Sequence, residues 1–381
     1  MIQLAPDLTL RSEAGPEATI LDAEGLGRVL LLFDAGTARI EGLTIQNGLT
    51  TLGDGILNYG GGIYSLGDSR PTISNCVVRN NHGLLGTNGA GIHCFGPEAT
   101  ITNCQILDNW GDGQSDGGGI TCRNCTIVDC VVRGNAVYGS EGSSCGGIYS
   151  FNSTILRCWI EGNMVITGRG AVGGGVRAVE GHTRITDSTF IGNKVHGGIS
   201  SNGSGVYVGA VRCSITNCIF AGNEGIPSLG AVVAGGSGAA LTITGSTIVG
   251  NRAVGPQATA GVYLSDLNGT STGSVTGTII AGNEGAACLG NTLVFSCSDL
   301  FGNSDDAICG VDAGGNLNLD PGFCAVAPAA SLNFSLQADS PCAPGNHPQG
   351  ACGLIGAAPV GCETVGIQSE TWGRVKSLYR R

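Results

Sequence analysis

Lysine is nearly missing from this chain. Two of its 381 residues, Lys194 and Lys376, carry that side chain, and the formal net charge is −11. With no basic face to gather phosphates, the composition disfavours nucleic-acid binding. Charged residues make up 12 % of the chain, about half the roughly 25 % of an ordinary soluble domain, and aromatic residues are scarce at 5 %. Long apolar runs are missing too. RVLLLF at 28–33 is among the longest, far short of the roughly 20 residues a membrane-crossing helix needs, so no transmembrane helix is expected.

What the chain has in excess is glycine, with 68 residues. No Gly-X-Y period accompanies it, which excludes collagen. Apolar residues at 41 % are too many for a disordered polymer. They are mostly Ile, Val and Leu, the material of short strands joined by glycine turns, and internal repetition is the natural source of such a bias.

The N-terminus, MIQLAPDLTLRSEAGPEATILDAEG, alternates like strand and turn from its second residue and contains no legible leader. Two readings follow: a cytosolic protein, or a gene start that has lost its export signal. Cysteine favours the second. Of the 17 cysteines, Cys288, Cys297, Cys309, Cys324, Cys342, Cys352 and Cys362 crowd the C-terminal quarter, at a density near that of disulfide scaffolds. A secreted or cell-surface protein is therefore expected.

Two phrases repeat. The first is GGGIYS at 60–65, which returns as GAGIHC, GGGITC, CGGIYS, GGGVRA and GSGVYV. The second ends in asparagine, as in ISNCVVRNN, ITNCQILDN and ITNCIFAGN. Its last residues are Asn81, Asn109, Asn135, Asn163, Asn193, Asn223, Asn251 and Asn283, with an earlier copy at Asn47, at separations of 26 to 34 residues. Within each copy apolar and polar residues alternate with period two, the signature of a strand, and the break at Asn217 marks a bend. About 29 residues hold three such strands with their turns. Strands of four or five residues are unstable alone, so each coil must stack on the next.

Stacking assigns the recurring residues their work. An asparagine at the same turn of every coil can donate to one neighbour and accept from the other, forming a ladder. The glycines serve tight corners and close backbone approach. Cys76, Cys104, Cys130, Cys158 and Cys218 occupy a position that becomes Ser188, Ser246 or Thr278 elsewhere. A site that accepts Ser or Thr is small and inward, which predicts a buried row of free thiols.

The pairing of a GG[AG]I phrase with an FxxN phrase, as in GGGIYS with FIGN (190–193) and FAGN (220–223), resembles the repeat of the polymorphic outer-membrane proteins. That repeat lies within the wider right-handed parallel β-helix group of pectin-lyase-like fold. The likeness covers about 1–300, with clear motifs between 60 and 285. It implies a helix presented at a cell surface and often adhesive, and with the repeats counted above the expected fold is an all-β solenoid of nine or ten coils. In the family a membrane barrel follows, whereas here nothing after 300 has room for one.

A Cys-rich cap is expected over 301–362, since a stack end exposes unpaired edge and core. NLDPGFC, FSLQADSPC and GLIGAAPVGC resemble the closing segment of bacterial secreted β-helix proteins, with disulfide connectivity unreadable. The tail 363–381 places Trp372, Val375 and Tyr379 on one helical face beside four basic residues. It reads either as a frayed terminus or as a sorting or docking tag, like the tails of exported bacterial repeat proteins.

Chemistry is sparse. Asp108, Asp112 and Asp116, at spacing four in a Gly-rich loop, are candidate Ca²⁺ ligands or simply solvated acids. No other cofactor is expected. Asp305 and Asp306 would point apart on a strand, and His182 with Arg184 lacks a carboxylate pair. The lyases and hydrolases of this fold need clustered carboxylates with Lys, Arg or His, and no such set stands out. The better candidate is a stripe one residue past the inward Ile or Val: Tyr64, His93, Thr121, Tyr149, Arg177, Tyr207 and Tyr263. Aligned outward, these side chains would suit a polysaccharide or a cell-surface partner, or would reflect ordinary strand propensity. A second row, from Arg79 through Ala221 to Ala281, turns apolar late and would either pack under a loop, the cap or another chain or consist of scattered surface apolar residues. The reading favoured is a non-catalytic, surface-displayed binding protein. A carbohydrate-active enzyme and a purely structural rod are the alternatives.

Overall fold

In the computed structural model the chain winds into a parallel β-helix. The structure describes residues 1–362 except 51–58, 85, 87, 114–115, 140–141, 143–144, 210, 256–257, 266–268, 325–332 and 351; the expected tail, 363–381, lies outside the described residues. Three parallel sheets run along the rod. Among the described residues sheet A has 19 strands, including Ile63–Leu66, Ile92–Cys94 and Ile120–Arg123. Sheet B has 12, including Thr72–Ser74 and Ala99–Thr102, and sheet C has 11, including Val77–Arg79 and Gln105–Leu107. The asparagine-marked coils are bracketed in sheet C by a first rung at Ile20–Asp22 and a last at Asp299–Phe301.

Register follows the repeat. Ile63, Ile92, Ile120, Ile148, Val176 and Val206 align rung upon rung, all fully buried. Sheet B adds a column through Ile73, Ile101, Ile127 and Ile155. Sheet C adds Val78, Ile106, Val132, Ile160, Phe190 and Phe220. The last two rings stack at 4.6 Å, a pairing that adds about 1 kcal/mol beyond burial.

Corners are made by single residues in the left-handed region. The bend between sheets B and C falls at Asn217 (φ 52°), and its counterparts include Asn75, Asn103 and Asp129. The turn from sheet C to sheet A falls one residue before the ladder asparagine, at Gly222 (φ 61°) and at the earlier Asn80 and Asp108. Asn47 (φ 55°) belongs to this corner row and not to the ladder, because Gly48 occupies the position that meets Asn81. A Cβ on Gly62 would sit 2.5 Å from the Gly91 carbonyl and 2.9 Å from Asn81 Nδ2. The glycine phrase is thus the seat on which the asparagine amides lie.

The ladder itself is continuous. Asn81 Nδ2 donates to Asn109 Oδ1 at 2.8 Å, and the same link repeats through Asn135, Asn163, Asn193, Asn223, Asn251, Asn283 and Asn303. Each Oδ1 also accepts the backbone N–H of the preceding asparagine, and each second amide hydrogen goes to a carbonyl of the coil before, as from Asn163 to Val132. Every polar atom of the buried amide is satisfied, which is what burial demands. The small inward row is a second ladder. Cys158, Cys218, Ser246 and Thr278 donate their backbone N–H to the Oγ of Ser188, Ser246, Thr278 and Ser298 in turn. Cys76 N–H reaches Cys104 Sγ at 3.5 Å in the same manner. Acceptor capacity, and not size alone, explains why Cys exchanges with Ser and Thr here.

The C-terminal segment is pinned by Cys288–Cys309, Cys297–Cys352 and Cys324–Cys362. Cys342 stays free and buried, with its thiol donating to Asp299 Oδ2 at 3.3 Å. Residues 308–317 close the stack end: Ile308 and Cys309 pack on the core, and Leu317 N–H bonds to Ser298. The rest folds back along the flank. Ile355, Leu336 and Leu317 cover the outward Ile279 and Ala281 of sheet C, and Ala357 N–H reaches Thr247 Oγ1 at 3.0 Å.

Candidate ligand-binding face

The stripe residues do stand in one register on sheet A, as Tyr64, His93, Thr121, Tyr149, Arg177 and Tyr207. Val233 then intervenes before Tyr263. Its early half does not face solvent, contrary to the outward stripe expected from alternation. Tyr64, His93 and Thr121 are 2 %, 3 % and 0 % exposed. The Arg28 guanidinium sits 4.8 Å over the Tyr64 ring, with Tyr59 edge-on to it. His93 is stacked between Tyr59 and Phe95 at 4.6 and 5.2 Å. The cause is the short spacing between parallel rungs, which presses aligned rings against one another and under side chains from the flanking turns. Burial drives the His93 pKa down to about 3, so this imidazole is neutral.

Midway the stripe is half-buried and internally paired. Arg177 lies 5.0 Å over the Tyr149 ring and 3.7 Å from the Asp116 carboxylate. Desolvation raises the Tyr149 phenol to about 12. Beside it Arg123 covers Phe95 at 4.4 Å and pairs with Glu180 at 3.2 Å. Tyr207 leans over Gly209 and Gly235, where side chains would crowd its ring. Tyr263 is half-buried at the same register. Cation over aromatic face is worth about 0.5–2 kcal/mol, and here it holds the face rigid.

The three aspartates of the candidate Ca²⁺ set are not brought together. Asp108 stands at the corner between sheets C and A, Asp112 Oδ2 meets His82 Nε2 at 3.1 Å, and Asp116 faces Arg177. Among the described residues no group of three His, Cys, Asp or Glu side chains gathers as a metal site would need. Their spacing of four is a spacing along a winding chain, where each residue falls on a different part of the coil.

Inside that aspartate stretch lies what the sequence reading passed over. Trp110 and Tyr138 are 36 % and 39 % exposed on sheet A, on successive coils, with ring centroids 6.5 Å apart and nearly perpendicular planes. His82 stacks on the indole at 3.4 Å. With Asp108, Gly134 and Ala136 the two rings line an open recess of about 370 Å³. The available signal was a tryptophan flanked by acids in DNWGDG.

A family model described as a right handed beta helix region matches residues 23–195. The chain is a right-handed parallel β-helix. No curated protein and no solved structure matches it. Along this β-helix the charges of sheet A are paired from coil to coil, Lys194 with Glu224 at 3.7 Å, and Arg252 with Glu224 and Glu284 at 3.1 and 3.0 Å.

Proposed function

We propose that this β-helix is a non-catalytic binding protein of the secreted or cell-surface class, engaging glycans through sheet A. One observation carries the reading: the solvent-exposed rings of Trp110 and Tyr138 share a face with charges already committed to neighbours, an arrangement suited to holding a ligand and not to moving protons. Export is supported by three cystines, which persist in oxidising compartments. The GGGI and FxxN phrases add the finer likeness to polymorphic outer-membrane repeats within the pectin-lyase-like group. The test is retention of the full chain on a polysaccharide panel, with and without calcium, beside an assay for unsaturated or reducing-end products. Retention without product is expected. Product release would replace this reading by that of a carbohydrate-active enzyme, and neither retention nor product would leave a structural rod.

A further inference from the structure

We infer that the recess between Trp110 and Tyr138 is a subsite for one neutral hexopyranose ring, an inference that rests on the glycan-binding reading above. The register explains how the recess arises. His82, Trp110 and Ala136 are aligned on successive rungs of sheet A. One face of the indole is therefore covered by the imidazole of the rung before, stacked 18° from parallel, while the rung after offers only a methyl group. The other face lies toward Ala136, which is itself covered, and borders the recess, with Met164 one rung further on. At the corner Gly134 (φ 66°) the Asp108 carboxylate lies where a side chain would stand, which sets that carboxylate at the rim. Tyr138, two residues past Ala136, closes the far side edge-on.

The indole is also held in place. Asp112 fixes the His82 ring at 3.1 Å, and the His82 ring fixes the plane of Trp110. A ligand then meets a platform that needs little ordering, which lowers the cost of binding. A pyranose has one face of C–H groups and an equatorial belt of hydroxyls. The C–H face suits the electron-rich indole surface, and the belt suits the acceptors at the rim. Those acceptors are the exposed Asp108 carboxylate and the Tyr138 hydroxyl, which also donates. A volume of about 370 Å³ is at the small end of the range for ligand sites, the scale of a single ring and not of a buried oligosaccharide. A carboxylate at the rim opposes uronates, so neutral sugars are selected over acidic ones.

The test is titration of the full chain with cello-, galacto- and chito-oligosaccharides and with oligogalacturonate, followed by calorimetry and tryptophan emission. Binding of at least one neutral series is expected. Trp110→Ala and Tyr138→Ala should each weaken it tenfold or more, and Trp110→Phe should recover part of the loss. Ala136 is 4 % exposed and aligned between Trp110 and Met164, so Ala136→Leu should displace the indole and abolish binding, with some fall in the melting temperature. Leu26→Ala, at an exposed residue outside the face, should bind as the parent does. Neutral-sugar binding that survives Trp110→Ala and Ala136→Leu would overturn the subsite and leave the binding face standing. Tighter binding of oligogalacturonate would overturn the sugar class. No binding of any series by the parent chain would overturn both.

Discussion

Asn303 Nδ2 donates to Asp306 Oδ1 at 2.7 Å, and the same carboxylate accepts the backbone N–H groups of Gly302 and Asn303 at 2.9 Å each. This contact ends the amide ladder. Each asparagine donates toward the next coil, so the last one has a donor and no further asparagine to receive it. A carboxylate, which only accepts, is the side chain suited to that position. Asp305 and Asp306, read from sequence as two acids that could not act as a pair, have separate local tasks, with Asp305 accepting the N–H of Ala307.

Cutting the ladder in its middle should cost more than removing its end. Asn163→Ala orphans the Asn135 backbone and side-chain donors and frees the Val132 carbonyl, in a site with no exposure. A loss of about 3 kcal/mol or more is expected, against about 1–2 kcal/mol for Asp306→Ala at the half-buried end. Urea unfolding of the two variants checks the order.

Acid should weaken the fold through His93. Its pKa is about 3 in the folded chain and near 6.5 when unfolded, so between these values the unfolded chain binds the extra proton. Stability then falls as pH drops through that window, by at most about 1.4 kcal/mol per pH unit for one group. His93→Phe should flatten that part of the stability profile, measured by denaturant melts from pH 7 to 4.

Asp299 should act with the opposite sign. Burial under the cap lifts its carboxyl to about 6 from a usual value of about 3.9, so between the two the folded chain holds the extra proton. This contribution strengthens the fold as pH falls toward 4. Asp299→Asn should stabilise the protein at pH 7 and remove this opposing trend. Comparing its pH profile with that of His93→Phe separates the two groups.

The thiols of the inward row should be inert until the coils open. Cys104, Cys130 and Cys158 are buried, and desolvation pushes each above its ordinary range, so little nucleophilic thiolate exists. A thiol-reactive reagent should label them only at the rate of unfolding. Cys297→Ser with Cys352→Ser should instead loosen the cap, at a cost of about 2–4 kcal/mol, and expose Ile279 and Ala281 beneath it.

Much of the fold was legible because stacking repeats the same demand at every coil. Period-two alternation marked the strands, and the recurring Asn marked a position where only a two-way amide satisfies both neighbours. The cap flank was partly legible as well, since Ala281 in the late apolar row packs beneath it. Asn47 was misread because the corner before the ladder also tolerates asparagine, in the left-handed conformation. The stripe was misread for a different reason. Alternation tells which side of a strand a residue takes, but Tyr59, Phe95 and Arg28, which cover Tyr64 and His93, arrive from other parts of the coil. The Trp110 recess depends on a small residue one rung away, Ala136, and on Gly134, which leaves room for the Asp108 carboxylate at the rim. Neither fact is visible until the register aligns them.

If sheet A around Trp110 and Tyr138 is the contact face, both rings must lie beneath the bound polysaccharide. Hydroxyl-radical footprinting of the full chain, alone and with the polysaccharide it retains most strongly, tests this most directly. Trp110 and Tyr138 should become protected from oxidation while exposed side chains elsewhere, such as Leu26 and Val311, do not. Unchanged oxidation of both rings in the presence of retained polysaccharide, with protection elsewhere on the rod, would contradict it.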